Sequence, residues 1–214
     1  MLKKSPLFFL FTLLLPACFI NAETVEQLDK GKQSLPPFTA HYSILHKSDV
    51  VGTAVRQLSY QADGNINYHY ETKIEWLIFS QTRSETSILS IHNNQVIPQH
   101  YTYTREGAGK DKYYEWVYHA NDNTAQDLGR KRDVTPLDFT HNLQDKLSYH
   151  LQNRLDLIAN PNQKHFVYPV ISTSGSVKNY VYQYDGEEDI MLPYGLVKTI
   201  RLKREVLEKK RVTY

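Results

Sequence analysis

The eleven residues Ile66–Trp76, INYHYETKIEW, carry the signal that decides the fold. Apolar residues, aromatic residues or threonine occupy every second position, and polar or charged residues lie between them. Side chains point to alternate sides of a strand, so a period of two over this length predicts a long β-strand with one buried face.

Comparable segments lie on both sides of this strand. Polar turns separate them, including Asp63-Gly64, a pair that hairpin turns favour, and Asp185-Gly186 between two later segments. The predicted strands are 38–45, 50–60, 66–76, 82–91, 98–105, 112–119, 165–172, 177–184, 187–192 and 196–206, with 209–214 as a closing partner.

One segment has the spacing of a helix instead. Between residues 138 and 160, apolar side chains recur every three or four positions, at Leu143, Leu147, Leu151, Leu155 and Ile158. Asp138 or Thr140 is the expected N-terminal cap, and Asn160-Pro161 ends the helix.

These elements predict a mainly β fold. The expected architecture is a single domain over residues 37–214, built as a curved antiparallel sheet or partly open barrel of about ten strands with one central α-helix. Sixteen tyrosines agree with this fold, because tyrosine suits strands that have one apolar and one wet side.

The first 22 residues have the composition of an export signal. Lys3 and Lys4 precede an apolar run of about ten residues, which is too short to span a bilayer, and Ala22 offers a cleavage point before Glu23. We expect residues 1–22 to be a signal peptide, 23–36 to be a flexible lead-in, and the mature protein to be periplasmic. Leu15-Pro16-Ala17-Cys18 also resembles a lipobox, so lipidation at Cys18 and membrane tethering remain an alternative.

Charge and hydropathy exclude some partners. Two of the 25 basic residues lie in the signal, which leaves 23 against 23 acidic residues in the mature part. This balance provides no net basic field for nucleic acid. No later apolar run reaches about 20 residues, so we expect no transmembrane segment after the signal.

The sequence contains no recognisable catalytic or metal-binding motif. The nine histidines are scattered without an HxH or HExxH spacing, Cys18 is the only cysteine, and no GxSxG motif occurs. We therefore predict no catalytic residue, metal ligand or cofactor, and no enzyme activity. The acidic run 185–189 fits either a weak calcium loop or a solvated turn.

Aromatic residues provide the candidate ligand site. Six of them come from strands that a curved sheet would bring together, and they could line an apolar surface for an acyl chain: Tyr68, Tyr70, Trp76, Tyr101, Tyr103 and Trp116. The same residues also fit an ordinary core, because one face of such a sheet must be apolar. Both interpretations stay open at this point.

Six short motifs stand at predicted turns or at the starts of predicted elements: FTAHY (38–42), VGTA (51–54), VIPQHY (96–101), QDKLS (144–148), YDGEE (184–188) and LPYG (192–195). Over residues 37–214 they together resemble the bacterial domain-of-unknown-function family 3108. The resemblance implies an exported envelope protein with an antiparallel sheet and no established activity. That family continues beyond the point where this chain ends, which implies either a shortened copy or an incomplete sequence. A missing last hairpin would leave an exposed sheet edge.

Three functions follow as hypotheses. The first is a non-enzymatic envelope protein that binds a hydrophobic or amphiphilic ligand, such as lipid, or an envelope partner on its curved sheet. The second is a structural or assembly module that pairs through a sheet edge. The third, which has the least support, is a hydrolase of envelope polymers.

Overall fold

A computed structural model of the protein describes residues 35–76 and 78–205. The predicted signal peptide, most of the predicted lead-in and the predicted strand 209–214 lie outside these residues. The strands are β1 (Phe38–His46), β2 (Asp49–Tyr60), β3 (Ile66–Trp76), β4 (Phe79–His92), β5 (Gln95–Gly107), β6 (Lys112–His119), β7 (Thr124–Asp127), β8 (Thr135–Pro136), β9 (His165–Ile171), β10 (Val177–Leu192) and β11 (Gly195–Glu205). The helices are a short 3₁₀ turn (Ala120–Asp122) and α1 (Tyr149–Ala159).

The first eight strands form one antiparallel meander. Each strand pairs with its neighbour in the sequence, in the order β1 to β8, through turns that are short wherever the pattern predicted a hairpin. Among the described strands β1 pairs only with β2, and β8 only with β7, so the sheet is open and not closed into a barrel. The mainly β, antiparallel fold class is therefore confirmed.

A second sheet of three strands follows the helix in the sequence. Its order is β11-β10-β9, and both pairings are antiparallel. The expected turn at Asp185-Gly186 is wrong, because β10 continues through it as one strand. The pairing register shifts between Tyr184 and Glu187, and Gly186 has φ +108°. The glycine therefore forms a β-bulge, which bends a strand without ending it.

The helix is shorter than the apolar spacing predicted. It begins at Tyr149 and not near residue 140, and Asn160 caps its C-terminus as expected. The expected caps Asp138 and Thr140 are wrong, because residues 143–148 are held by contacts with both sheets before the helix starts. Gln144, for example, pairs with Val170 of β9 in a parallel bridge.

The core lies on both sides of α1. Leu151 and Leu155 pack against buried residues of the large sheet, which include Leu58, Tyr68 and Leu89. On its other side, Tyr149 packs against Phe166, Tyr168 and Val170 of the small sheet. None of the helices in residues 35–76 and 78–205 has the length and apolar composition that crossing a bilayer requires.

Candidate functional site

We call the face of the large sheet that contacts α1 the inner face. This face has two halves, of which the helix covers one. Alternation along the strands assigns a residue to one face, and the pairing register extends that assignment across the sheet. Tyr68 lies opposite Leu58 and Ser87, and Ser87 lies opposite Tyr101. These four residues are buried beneath the helix and form part of the covered half.

The other half of the inner face, nearer the turns after β1, β3 and β5, is not covered by the helix. We call it the open half. Its side chains are partly or fully exposed: Tyr42, Arg56, Tyr70, Trp76, Phe79, Arg83, Tyr103, Arg105, Lys112 and Tyr114. It therefore presents aromatic rings and positive charges together on one surface.

All six aromatic residues predicted as ligand contacts lie on the inner face, but they separate into two groups. Tyr68, Tyr101 and Trp116 are buried in the core. Tyr70 and Tyr103 are partly buried, and Trp76 is 48% exposed at the end of β3. The structure thus divides the set into three core residues and three residues of the open half.

A row of three cations crosses the open half. Arg83 of β4 lies directly opposite Arg105 of β5, and Arg105 lies directly opposite Lys112 of β6. None of the three forms an ion pair with a described residue. Like charges directly opposite each other on neighbouring strands destabilise a sheet, so this cation row costs stability as it stands.

The two faces of the sheet differ in charge. On the paired positions of β3 to β6, the outer face carries one lysine, Lys73, and four acids: Glu71, Glu75, Glu106 and Glu115. On the same strands the inner face carries the cation row and a single acid, Glu85, which accepts a hydrogen bond of 2.8 Å from the Tyr101 hydroxyl. The near-zero net charge therefore conceals a basic inner face.

Three further cations each lie over an aromatic ring: Arg56 belongs to the open half, and Lys146 and Arg154 come from the helix segment. The ring-centroid distances are 4.9 Å for Arg56 over Tyr70, 5.8 Å for Lys146 over Tyr103, and 5.5 Å for Arg154 over Phe38. Cations over ring faces are attracted by the ring quadrupole, which holds them at the surface without a counter-ion. These residues were missed in the sequence because they come from β2 and the helix segment.

Below the open half, a buried aspartate attaches the helix to the large sheet. Asp145 accepts hydrogen bonds from the Ser87 hydroxyl at 2.5 Å and from the backbone N–H groups of Leu147 and Ser148 at 2.7 and 2.6 Å. The Ser148 hydroxyl accepts the N–H of Asp145 at 2.9 Å. This reciprocal pattern has the form of a capping box, but it closes the turn 145–148 directly ahead of the helix, and it fixes where the chain enters α1 at Tyr149.

The environment of Asp145 shifts its acidity. Burial raises the pKa of its carboxyl from 3.8 to about 6, against the hydrogen bonds from Ser87, Ser148 and Leu147, which lower it. Burial likewise lowers the pKa of His150 to about 4, with a smaller contribution in the same direction from Arg56. His150 is therefore neutral at neutral pH and adds no charge to the open half.

Two glutamines complete the attachment. The Gln152 side-chain carbonyl accepts the Val96 N–H at 2.7 Å, and the Gln144 amide donates to the Val96 carbonyl at 2.8 Å. Both glutamines are buried. Both backbone groups of Val96 in β5 are thus bonded to the helix segment. These bonds hold the segment across the covered half of the sheet and leave the open half accessible.

At the other candidate sites the polar and charged side chains already pair with one another, so fewer groups are available to bind a ligand. A groove of about 550 Å³ lies beside β9 and β10, and two of its polar side chains, Asp138 and His141, bond to each other at 3.2 Å. In the acidic run, Asp185 and Glu188 both pair with Arg201. Within residues 35–76 and 78–205, no three His, Cys, Asp or Glu side chains cluster closely enough to hold a metal ion.

The chain was compared with known proteins in three ways. No family model, no curated protein and no solved structure matches it. The resemblance to family 3108 therefore stays a prediction. What is established about the site is its geometry: a half-covered inner face, a row of unpaired cations and aromatic rings beside them.

Proposed function

We propose that this protein is an exported envelope protein that binds an anionic amphiphile, a molecule with an acyl chain and a negatively charged head, on the open half. The observation that carries the proposal is the cation row Arg83–Arg105–Lys112, which crosses three adjacent strands without an acidic partner among the described residues.

Electrostatics supports an anionic head group. Neighbouring strands lie about 4.8 Å apart, so three cations in register repel one another at close range. A phosphate or carboxylate between them would replace this repulsion with charge-assisted hydrogen bonds, and arginine binds both groups with two parallel N–H donors. Binding would therefore give the cation row the negative partner that it lacks in the free protein.

The aromatic residues support an acyl chain. Tyr70 and Tyr103 are partly buried next to the core, and both lie beneath a cation. Their ring faces and edges offer apolar area to a chain, and burial of each CH₂ group is worth about 0.8 kcal/mol. A chain laid over these rings would point its head group towards the cation row.

The cation row predicts opposite effects of one substitution on stability and on binding. In Arg83→Gln, we expect the affinity for dodecyl phosphate to fall about tenfold, because one charge-assisted contact is lost. The free energy of unfolding should stay equal or rise by up to about 1 kcal/mol, because a like-charge pair is removed. Isothermal titration calorimetry below the critical micelle concentration and urea denaturation measure the two quantities.

Controls test both the charge and the face. Lys73→Gln removes a cation from the outer face and should leave dodecyl phosphate binding unchanged. Dodecyltrimethylammonium, with the same chain and a positive head, should bind the unchanged protein at least tenfold more weakly. Equal binding of the two amphiphiles, or an Arg83→Gln variant with undiminished affinity, would contradict the proposal. That result would favour the edge-pairing function, in which β1 adds a partner strand.

The export part of the proposal rests on residues 1–22, which lie outside the described residues. Cleavage after Ala22 predicts that the protein recovered from its native compartment begins at Glu23. N-terminal sequencing checks this. A blocked N-terminus with a diacylated Cys18 in mass spectrometry would show tethering instead, and an N-terminus at Met1 would show that export processing does not occur.

A further inference from the structure

The ends of two neighbouring hairpins expose a set of large apolar side chains. We call it the hairpin-tip cluster, and its members and exposed fractions are Leu45 (59%), Val50 (64%), Trp76 (48%), Ile78 (92%) and Phe79 (57%). β2 pairs with β3, so the two tips lie side by side, and the rings of His46 and Trp76 are 4.9 Å apart. The cluster is therefore one continuous surface.

The turn between β3 and β4 has an unusual sequence. Trp76 pairs with Phe79, and the two residues between them are leucine and isoleucine. Hairpin turns of this length favour Asn, Asp or Gly. Trp76, Ile78 and Phe79 are also large exposed apolar residues, which lower solubility when they cluster, and proteins avoid such clusters unless the residues make contacts. The apolar composition of this turn is therefore unfavourable for a hairpin turn in water and favourable for contact with an apolar phase.

The size of the cluster argues against a protein partner. A stable protein interface involves about 20 to 30 residues on each side, whereas this cluster consists of five side chains at two turns. A bilayer surface has no such requirement. Tryptophan prefers the level of the lipid head groups, and helices that lie on a membrane bury their apolar face about 5 to 10 Å into the boundary between head groups and acyl chains, a depth we apply to the hairpin tips.

Charge around the cluster favours anionic lipid. Arg83 lies four residues behind Phe79 on the same face of β4, a distance of about 13 Å along the strand. If Phe79 is inserted by 5 to 10 Å, the long Arg83 side chain reaches the head groups. Four of the five acids at the paired positions of β3 to β6 lie on the opposite face, so anionic head groups would attract the inner face and leave the outer face in water.

We propose that the hairpin-tip cluster inserts into the surface of a phospholipid bilayer that contains anionic lipids, with the inner face turned towards the head groups. This docking is separate from the binding of a single amphiphile and does not require it. It would place the open half next to the membrane that holds such amphiphiles.

The two tryptophans of the chain allow a direct test. Trp76 belongs to the cluster, and Trp116 is 5% exposed in the core. The full-length protein is mixed with vesicles of phosphatidylethanolamine and phosphatidylglycerol that carry brominated acyl chains, which quench only tryptophans inserted among them. We expect quenching in the unchanged protein and its loss in Trp76→Phe, where only Trp116 remains.

A second variant keeps Trp76 as the reporter. Ile78→Asp places a charge at the most exposed position of the tip, and we expect quenching to fall at least tenfold at equal lipid concentration. The matched control Val177→Asp changes an equally apolar, 45% exposed residue of the small sheet and should leave quenching unchanged. Because Trp76 itself reports insertion, an association of residues 1–22 with vesicles does not imitate the result.

Several outcomes would overturn the proposal. Emission that brominated lipid does not quench, as expected for a tip that binds another protein, is one of them. Equal quenching in Ile78→Asp and the unchanged protein is another, and equal quenching by pure phosphatidylcholine vesicles would overturn the requirement for anionic lipid. Dodecyl phosphate binding should survive Ile78→Asp, so failure of membrane docking and failure of the proposed ligand site are distinguishable.

Discussion

Replacing Asp145 with alanine is expected to lower the free energy of unfolding at pH 7 by about 3 kcal/mol. The substitution removes the acceptor of three hydrogen bonds, and it leaves the N–H groups of Leu147 and Ser148 buried without a partner. A lost helix cap costs about 1 kcal/mol, and each buried donor without a partner costs about 1 to 3 kcal/mol. The substitution also removes the buried negative charge of Asp145, which is unfavourable in the folded state, and this gain offsets part of the loss. Urea denaturation followed by circular dichroism measures the change.

Two variants separate the contributions. Ser87→Ala removes only the hydroxyl that bonds Asp145 at 2.5 Å, and it should cost about 1 to 2 kcal/mol. Asp189→Ala, at an exposed position of β10, should change stability by less than about 0.5 kcal/mol. An Asp145→Ala variant as stable as Asp189→Ala would show that the capping box does not hold the helix segment.

The same aspartate predicts a pH dependence of stability. Because its pKa is raised from 3.8 to about 6 on folding, the folded state binds a proton more tightly than the unfolded state. Its favourable contribution is complete below about pH 4 and is lost as the pH rises through 6, a change of about 3 kcal/mol. The difference in stability between the unchanged protein and Asp145→Asn should therefore decrease from pH 4 to pH 7. A constant difference would contradict the raised pKa.

Leu155→Ala is expected to lower the free energy of unfolding by about 2 to 5 kcal/mol. Leu155 is completely buried on the side of α1 that packs against the large sheet, and alanine would leave a cavity there. Alanine has the higher helix propensity, so the loss reports packing between helix and sheet and not the formation of the helix. Chemical denaturation with an unchanged dependence on denaturant concentration would identify it as a loss of stability alone.

Ile158 provides the matched control for Leu155. It lies on the same helix and in the same apolar spacing, but it is 48% exposed. Ile158→Ala should therefore cost no more than about 1 kcal/mol. If both substitutions cost the same, the helix is not buried against the sheet in the way that the contacts of Leu155 indicate.

Much of the fold could be predicted from local patterns. The alternation in Ile66–Trp76 is confirmed as β3, and Asp63-Gly64 lies in the predicted turn between β2 and β3, with Gly64 at positive φ. These elements obey rules that act over a few residues, namely alternation along a strand and the backbone conformation of a turn.

Two elements were predicted wrongly where tertiary contacts prevail over local preference. Asp185-Gly186 has the composition of a turn, but pairing of β10 with both β9 and β11 keeps it within one strand as a bulge. Leu143 and Leu147 have helical spacing, but hydrogen bonds to β5 and β9 and the turn closed by Asp145 hold their segment outside the helix, which begins at Tyr149. In both cases long-range hydrogen bonds decide the conformation.

The sequence by itself determined the antiparallel β class, most of the strands and turns, and the aromatic residues of the inner face. Only the tertiary structure decided which of those residues are core and which are open, and that Arg83, Arg105 and Lys112 stand in one row. The physical reason is register. Alternation assigns a side chain to one of two faces within its own strand, whereas the pairing of strands far apart in the sequence decides which charges become neighbours.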